Sequence, residues 1–433
     1  MSVGLKVVRR CDREMAIPFA PRQTISMMES SKIRLFYLSI LILTVLTNVD
    51  TQGSEYCEKP DEYSTNDKAC TNHEEFSNKR FILYDVNPPE GFNLRRDVYI
   101  RTAIFVKNLI DKSNKLYDWH LVLPPWGNLY HWKSRDIGLQ RQIPWSTFFD
   151  ISSLQKFIPV IEMRDFFQEY SPNSNNCAID RIYVLKNDEE MFKTGNFEDK
   201  NELVDCGSEY AGRFWGYSNI TGKEISCVIF HGTMYGLGVN LHPEIYSSVM
   251  FDHMEIPLHD SYGTEEYWRA RRSMRYNSAL YEIANDYRKR YLGSNDVDDN
   301  TKQKSDWTEE KGRRTAIGGP YLCVHLRRGD FLTGRASSVP TIKHAASQLK
   351  KKLEEIDLNV IFVATDADDH GEEYIRPFRS DYLYFIGTHE STFTFRIQED
   401  REIIGFPSNT TFNRLCGKDK KCKSGGSWKI VWK

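Results

Sequence analysis

The chain has 433 residues, of which 40% are hydrophobic and 13% aromatic, so it is long enough to bury two sizeable cores. Its 58 basic and 60 acidic residues nearly balance, and no run of one charge is long. This balance argues against nucleic acid or an anionic membrane surface as the partner. Any basic binding site must therefore be local.

The N-terminus has the pattern of a targeting segment. Lys32 and Arg34 precede an apolar run over 35–46, and small and polar residues follow the run. Because the run is too short to span a bilayer comfortably, a cleaved secretory signal is favoured over a membrane anchor. We assign residues 1–53 to this signal and to the segment upstream of it.

A secretory destination makes the cysteines informative, because disulfides form in an oxidising compartment. Cysteines that are close in sequence are the natural partners. The three predicted bridges are Cys57–Cys70, Cys206–Cys227 and Cys416–Cys422. Cys323 lies in an apolar strand pattern and is predicted to be a buried free thiol, whereas Cys177 is left unassigned. Glycosylation sequons at Asn219 and Asn409 fit the same compartment, although such short motifs also arise by chance.

From about residue 80, short β-rich runs alternate with helical periodicity, a pattern typical of a parallel sheet covered by helices. The first helix is predicted from an apolar stripe formed by Val98, Phe105, Val106, Leu109 and Ile110. The strands predicted in this half are 81–86, 120–123, 158–161, 182–185 and 226–230.

The second half begins with a long predicted helix over 265–292 and a charged, mobile linker over 293–316. A second α/β series follows the linker, with a helix that opens at Pro340. Its predicted strands are 321–326, 360–364 and 383–386. We therefore predict an α/β protein with two domains and a cleft between them.

Ligands of open α/β sheets bind at the carboxyl ends of strands, and three segments have that location. The first is "NPPEGFN", 87–93. Its prolines restrict the loop, Gly91 permits a sharp bend and Asn93 is placed to cap the next helix, so Glu90 would be held in position. A held carboxylate at a cleft edge is a candidate general base. Taken alone, a solvated loop charge is the commoner interpretation of such a residue.

The second segment is "VHLRRGDF", 324–331. Arg327 and Arg328 at the end of a buried strand indicate an anionic ligand, and a guanidinium fork suits a diphosphate. The tripeptide Arg328-Gly329-Asp330 also matches an adhesion motif. Adhesion is disfavoured, because the tripeptide directly follows a core strand and would not lie on a mobile tip.

The third segment is "FIGTHESTFTFRI", 385–397. Ser391 and Thr392, ahead of an apolar helix, offer hydroxyls and free backbone N–H groups to a phosphate, although an ordinary helix cap has the same pattern. Nearby, Asp366-Ala367-Asp368 resembles the metal-binding DxD motif of one glycosyltransferase class. Acidic motifs of this length are frequent by chance, so no metal site is predicted.

Together with "LPPWGNLYHW" (123–132) and "FWGYSN" (214–219), these segments closely resemble the GDP-fucose protein O-fucosyltransferase 2 family from about residue 80 to 432. The resemblance implies a GT-B fold of two Rossmann-like domains facing across a cleft. Residues 78–255 would carry the catalytic loop and the acceptor side, and residues 256–433 would bind the GDP-sugar.

The resemblance also implies an activity and a compartment. Fucose would pass from GDP-fucose, with inversion at the sugar carbon, to Ser or Thr of folded thrombospondin type 1 repeats in the lumen of the endoplasmic reticulum. Glu90 would be the base, Arg327 would neutralise the departing diphosphate, and His325 would contact the nucleotide. No metal or other cofactor would be required. The remaining donor-binding residues would be Pro89, Gly91, Phe92, Asn93, Ser391, Thr392 and Phe393.

The sequence departs from the family at one place. The family carries an extra strand and helix between the "VATD" and "FIGT" strands, with an aspartate that contacts the base, whereas here only 367–384 connects them. Loss of an inner βα unit is expected to leave a gap in the sheet or to force new pairing. One alternative is therefore a non-catalytic or unstable truncated form that only binds the acceptor protein. Another is a transferase that uses a different GDP-sugar.

Overall fold

A computed structural model describes residues 6–7, 78–113, 115–129, 132, 139–171, 176–207, 214–259, 261–366, 382–417 and 428–432. The chain divides into two units, and the one that spans Ile17–Ser77 lies wholly outside the described residues. The predicted apolar signal run and the predicted bridge Cys57–Cys70 fall there and are not described. Strand β1 (Lys6–Val7) belongs to the other unit, as does everything that follows.

The first of two sheets has seven strands in the order β4-β3-β2-β8-β5-β7-β6. All neighbouring strands are parallel except β6 and β7. Strands β2 and β3 are buried toward their carboxyl ends and β8 is buried throughout, as expected for a sheet covered on both faces. The strands are β2 (Lys79–Tyr84), β3 (Asp118–Leu123), β4 (Val160–Glu162), β5 (Cys177–Asn187), β6 (Lys200–Val204), β7 (Ile220–His231) and β8 (Ser248–Asp252).

The second sheet has five parallel strands in the order β1-β10-β9-β11-β12. They are, besides β1, β9 (Gly319–Leu326), β10 (Val360–Thr365), β11 (Tyr382–Gly387) and β12 (Asn413–Arg414). Val324 of β9 pairs with Val363 on one side and with Ile386 on the other, so β10, β9 and β11 are contiguous. The expected gap therefore does not separate these strands, because β10 and β11 lie on opposite sides of β9. Residues 367–381 of their connection lie outside the described residues.

The helices that cover these sheets are α1 (Phe92–Lys112), α2 (Ile151–Gln155), α3 (Met163–Tyr170), α4 (Glu189–Thr194), α5 (Glu265–Ser273), α6 (Ser278–Tyr287), α7 (Phe331–Gly334), α8 (Ile342–Glu355), α9 (Thr392–Ile404) and α10 (Ser408–Thr411). We call β2–β8 with α1–α4 the first lobe, and β1 and β9–β12 with α7–α10 the second lobe. None of the helices in the described residues has the length and apolarity to cross a membrane. The predicted boundary between 255 and 256 stays a prediction.

The long helix predicted over 265–292 is wrong. The chain leaves the helix after Ser273 and begins α6 at Ser278, where the Asn277 side chain accepts a hydrogen bond from the N–H of Leu280. In between, the backbone pairs with a distant segment: the N–H of Asn277 donates to the carbonyl of Phe148. Such a non-local pairing outweighs the local helical pattern, although Asn277 is itself a helix-cap signal.

The linker over 293–316 is not the mobile segment that its composition suggested. Arg288 forms ion pairs of 2.7 Å with both Asp296 and Asp299. Trp307 is buried and its indole N–H donates to the carbonyl of Ser153 at 3.0 Å. Charged residues of this linker therefore pair with residues outside it, and these contacts anchor it.

The cysteines follow the predictions where they are described. Cys206 and Cys227 form a disulfide that ties β7 to the residues after β6. Cys323, as predicted, is buried and not part of a disulfide, and the same holds for Cys177, left unassigned above. Cys416 is disulfide-bonded, but its predicted partner, Cys422, lies outside the described residues. The two sequon asparagines, Asn219 and Asn409, are exposed.

Candidate active site

The carboxyl ends of β9 and β11 meet at the first turn of α9. The Thr388 hydroxyl accepts a hydrogen bond from the N–H of Arg327 at 2.8 Å and donates to the carbonyl of His325 at 3.1 Å. The ring centroids of His325 and Phe393 lie 4.7 Å apart. The structure thus brings Phe393 beside His325, from which it is distant in sequence, and ties Arg327 to Thr388 at the end of β11.

His325 is held as a neutral imidazole. Burial, and then the charge of Arg327, lower the pKa of His325 from 6.5 to about 3. Its Nδ1 lies 2.8 Å from Oγ1 of Thr394, which fixes the ring plane. At neutral pH this ring can exchange a hydrogen bond with a ligand without adding a charge.

Arg327 occupies a setting suited to an anionic ligand. Its side chain is 16% exposed, with Nη2 2.9 Å from Oδ1 of Asp330 and Nε 3.1 Å from Oδ2 of Asp366. The neighbouring arginine differs, because Arg328 Nη1 donates to the carbonyl of Pro340 at the approach to α8. Of the two arginines singled out in the sequence, only Arg327 lies at the site.

Asp366 is a site residue that sequence reasoning did not assign. Besides Arg327, it accepts hydrogen bonds from the backbone N–H groups of Arg328 and Gly329. Asp366 comes just after β10, which pairs with β9. Its role would have been indicated only by predicting that these two strands are neighbours in the sheet. Among the described residues, no group of three or more His, Cys, Asp or Glu side chains is arranged to hold a metal ion.

Ser391 precedes α9, is 4% exposed and makes no capping hydrogen bond with its side chain. The free N–H groups of the first helical turn are thus not satisfied by this hydroxyl. Behind them, Gly387 packs so closely on Thr394 that an added Cβ would clash with it. The first turn of α9 is therefore held tightly against the end of β11.

On the first lobe, Glu90 lies in the loop between β2 and α1. Its N–H donates to the carbonyl of Asn87 at 3.0 Å, which closes a turn. Arg95 of α1 donates from Nε to the carbonyl of Glu90 at 2.9 Å and from Nη2 to that of Pro88 at 3.0 Å. Arg95 thus holds the loop through its backbone carbonyls, a restraint that was not predicted from the sequence.

The electrostatics of Glu90 suit a general base. Burial raises the pKa of Glu90, the nearby carboxylate of Glu255 raises it further, and Arg95 partly offsets both. A carboxylate whose pKa is raised takes a proton from an attacking hydroxyl more readily.

Glu255, on the loop after β8, was missed by sequence reasoning. Its Oε2 accepts from the N–H of Asn87 at 3.1 Å, and its Oε1 lies 3.1 Å from Nδ1 of His253. Burial alone would raise the pKa of Glu255, but the hydrogen bonds from His253 and from backbone N–H groups outweigh it and lower the pKa. Glu255 therefore stays charged beside Glu90, and no motif marks it.

One prediction about the start of α1 is wrong, namely that Asn93 caps the helix. Gly91 occupies the N-cap position and Asn93 lies in the first turn, so Asn93 does not cap the helix. Its side-chain oxygen instead faces Nη1 of Arg96 at 3.4 Å. Phe92 is buried against Trp126 at 4.7 Å between ring centroids. Phe92 therefore supports the Glu90 loop from the side of the core, because its ring is buried by packing against Trp126.

The two lobes, each a Rossmann-like α/β layer, carry complementary chemistry. One loop presents a carboxylate with a raised pKa, and the other combines an arginine with the N-terminus of a long helix. Two Rossmann-like lobes that carry these groups fit the GT-B glycosyltransferase fold expected from the sequence.

Comparison with known proteins defines the family. The family model of the GDP-fucose protein O-fucosyltransferases matches residues 81–384. GDP-fucose protein O-fucosyltransferase 2 of Caenorhabditis elegans is 43% identical over 397 residues, which cover 82% of this chain and 91% of that protein. The Homo sapiens protein of the same name is 40% identical over 398 residues, with the same two coverages. The chain belongs to the GDP-fucose protein O-fucosyltransferase family and is a glycosyltransferase.

Solved structures agree on the fold. The crystal structure of POFUT1 in complex with GDP-fucose superposes with a TM-score of 0.51 at 16% identity, over 78% of this chain and 98% of that one. The apo form of POFUT1 gives a TM-score of 0.50, also at 16% identity, over 76% of this chain and 97% of that one. At this identity the likeness concerns the two-lobed fold alone.

Proposed function

We propose that this protein O-fucosyltransferase transfers fucose from GDP-fucose, with inversion at the sugar carbon, to Ser or Thr hydroxyls of folded thrombospondin type 1 repeats in the lumen of the endoplasmic reticulum. The observation that carries the proposal is a carboxylate on one lobe and an arginine on the other: Glu90, with its raised pKa, lies between β2 and α1, and Arg327 follows β9 and is bonded through its N–H to Thr388 on the approach to α9. The acceptor and the compartment rest on the resemblance of the sequence motifs. The disulfide Cys206–Cys227 fits an oxidising lumen.

The reaction follows from where charge develops. As the bond from the sugar carbon to the diphosphate oxygen breaks, negative charge grows on the diphosphate and positive charge on the sugar. Arg327, oriented by Asp366 and exchanging its contact with Asp330 for the diphosphate, would stabilise this state more than the intact donor. The N-terminus of α9 adds a positive dipole end at the same place.

The acceptor hydroxyl completes the displacement. Its oxygen bonds to the sugar carbon on the side opposite the departing GDP, and its proton passes to the Glu90 carboxylate. One carboxylate acting once as a base gives a single displacement and hence inversion. In the described part of the chain, the Glu90 carboxylate makes no hydrogen bond or ion pair that this step would have to break.

A form that only binds the acceptor protein is not favoured. The Glu90 carbonyl accepts a hydrogen bond from Arg95, and the Thr388 hydroxyl joins the N–H of Arg327 to the carbonyl of His325, so the candidate loops of both lobes are held in position. The contiguous pairing of β10, β9 and β11 removes the expected break in the sheet.

The test is transfer by the chain purified from a secretory host, with a folded thrombospondin type 1 repeat as acceptor and GDP-fucose as donor. We expect a gain of one fucose on the repeat by mass spectrometry, no transfer to the reduced and unfolded repeat, and none from GDP-mannose. Comparing the anomeric configurations of donor and product by NMR tests inversion. Transfer from GDP-mannose but not from GDP-fucose would replace the proposed donor.

Glu90→Gln tests the base. We expect kcat to fall by about 10²- to 10⁴-fold, the usual contribution of a general base, with the affinity for GDP unchanged. Glu244→Gln is the matched control, because Glu244 is an exposed carboxylate away from the loop. Full activity of Glu90→Gln would exclude Glu90 as the base. Localisation of the tagged full chain outside the endoplasmic reticulum would exclude the proposed compartment.

A further inference from the structure

The two helices that follow the two candidate site loops touch each other. Helix α1 begins at Phe92, directly after the Glu90 loop, and helix α9 begins at Thr392, directly after Ser391. In their second turns, Oδ1 of Asp97 and Nη2 of Arg396 lie 3.2 Å apart. One ion pair therefore provides a short, rigid connection between the loop on the first lobe and the loop on the second.

The guanidinium of Arg396 is fixed from several directions. Nη1 lies 3.0 Å from Oε2 of Glu399 and donates to the hydroxyl of Tyr267 at 3.1 Å. Glu399 is fully buried and is also paired with Nε of Arg271 at 2.8 Å. Arg396 is thereby confined to one orientation, because each of its neighbours is held by another group.

Asp97 is fixed in the same way. Its Oδ1 accepts a hydrogen bond from Nε2 of His259 at 3.1 Å, and its Oδ2 lies 3.3 Å from Nε of Arg101. Burial would raise the pKa of Asp97, but the bond from His259 and the charges of Arg396 and Arg101 outweigh it, so the pKa is lowered and the carboxylate stays ionised. His259 lies on the same segment as Glu255, which holds the Glu90 loop.

The side chains of Asp97 and Arg396 are only 13% and 8% exposed. Buried ion pairs contribute little net stability relative to apolar residues of similar size, since both charges must be desolvated. A charged pair instead fixes the direction and distance between the two helices that carry it. Because this pair lies just behind both site loops, it also fixes the distance between the groups that react.

We propose that Asp97 and Arg396 are positioning residues that set the catalytic loop of the first lobe against the donor loop of the second. This inference rests on the proposed function, because it presumes transfer between the two loops. A change of about 1 Å between reacting groups can lower a rate by about 10²-fold. Loss of the pair should therefore reduce turnover far more than it reduces nucleotide binding.

Asp97→Asn is the primary variant, because Asp97 lies on the lobe opposite the candidate nucleotide loop. We expect kcat for transfer to fall by about 10- to 10²-fold, and the Kd for GDP, measured by calorimetry, to change by less than about twofold. Asp97→Glu keeps the charge but lengthens the side chain, and it should also lower kcat. Arg396→Lys should retain more activity than Arg396→Gln.

The double variant Asp97→Asn with Arg396→Gln should lose no more activity than the more impaired single variant, because each change removes the same contact. Asp299→Asn is the matched control. It disrupts another buried ion pair, Asp299 with Arg288, and should lower the melting temperature while leaving kcat within about twofold.

The outcomes are distinguishable. If the wild-type chain transfers no fucose, the proposed function fails and the variants are not informative about transfer. If the wild type transfers fucose and folded Asp97→Asn keeps its kcat, the positioning role is wrong. A proportional loss of GDP binding and kcat, or additive losses in the double variant, would also overturn it, because these results indicate a merely structural pair.

Discussion

The backbone N–H of Asn87 donates a hydrogen bond to the carboxylate of Glu255 at 3.1 Å, across 168 positions of sequence. The loop that carries the candidate base is therefore held by an acidic residue of another strand end. The same carboxylate raises the pKa of Glu90. One residue thus contributes both to the position of the base and to its basicity.

Glu255→Gln should separate these two contributions, because the amide oxygen can still accept from Asn87 but the charge is lost. Removing a negative charge near Glu90 lowers its pKa, so the acidic limb of the pH profile of kcat/KM should shift to lower pH. The measurement is the transfer rate between pH 4 and 8. An unchanged acidic limb would mean that Glu255 does not tune Glu90, and Glu244→Gln serves as the control.

Asp366→Ala should weaken donor binding. The substitution removes the carboxylate that anchors the N–H groups of Arg328 and Gly329 and orients Arg327, so the arginine loop becomes less ordered. We expect KM for GDP-fucose to rise by about tenfold, since charged hydrogen bonds are worth about 1.5–3 kcal/mol. Asp357→Asn, an exposed residue that precedes β10, should leave KM unchanged. Equal KM values for the two variants would contradict the anchoring role.

His325 makes the stability of the fold depend on pH. Because the pKa of His325 is lowered from 6.5 to about 3, the unfolded chain binds a proton between these values that the folded chain does not. The stability that this neutral histidine allows is full above pH 6.5 and is lost as the pH falls towards 3. The fall in urea-unfolding free energy from pH 7 to pH 5 should therefore be smaller in His325→Asn. The exposed control His242→Asn should behave like the wild type, and identical falls in all three proteins would contradict the effect.

Trp428 should be important for stability, because it links the C-terminal segment to both α9 and the residues before α5. The centroid of its ring lies 5.8 Å from the ring centroid of Phe395, 5.0 Å from that of Phe412 and 6.0 Å from that of Tyr262. Trp428→Ala should lower the free energy of unfolding by about 2 kcal/mol, less than for a fully buried aromatic residue. Denaturant unfolding measures this loss, with Val431→Ala as the more exposed control. Equal stabilities would show that these ring contacts contribute little.

Much of the fold follows from local sequence. Apolar runs predicted the buried strands β2, β5 and β9, because a strand covered on both faces has apolar side chains on both. The helix predicted to open at Pro340 is α8, which begins at Ile342. The short separation of Cys206 and Cys227 predicted their bridge. Each of these patterns involves residues that are close together in sequence, within one strand, one helix or one hairpin.

The tertiary structure decided the contacts that shape the site. Glu255 meets Asn87 only because β8 pairs with β2, and Asp366 meets Arg327 only because β10 pairs with β9. The break before Asn277 depends on pairing with residues near 148. A single carboxylate has the same local sequence signal whether it lies in water or beside a base. Strand order and lobe packing set which charges become neighbours, and the low dielectric of the interior then gives those neighbours their effect.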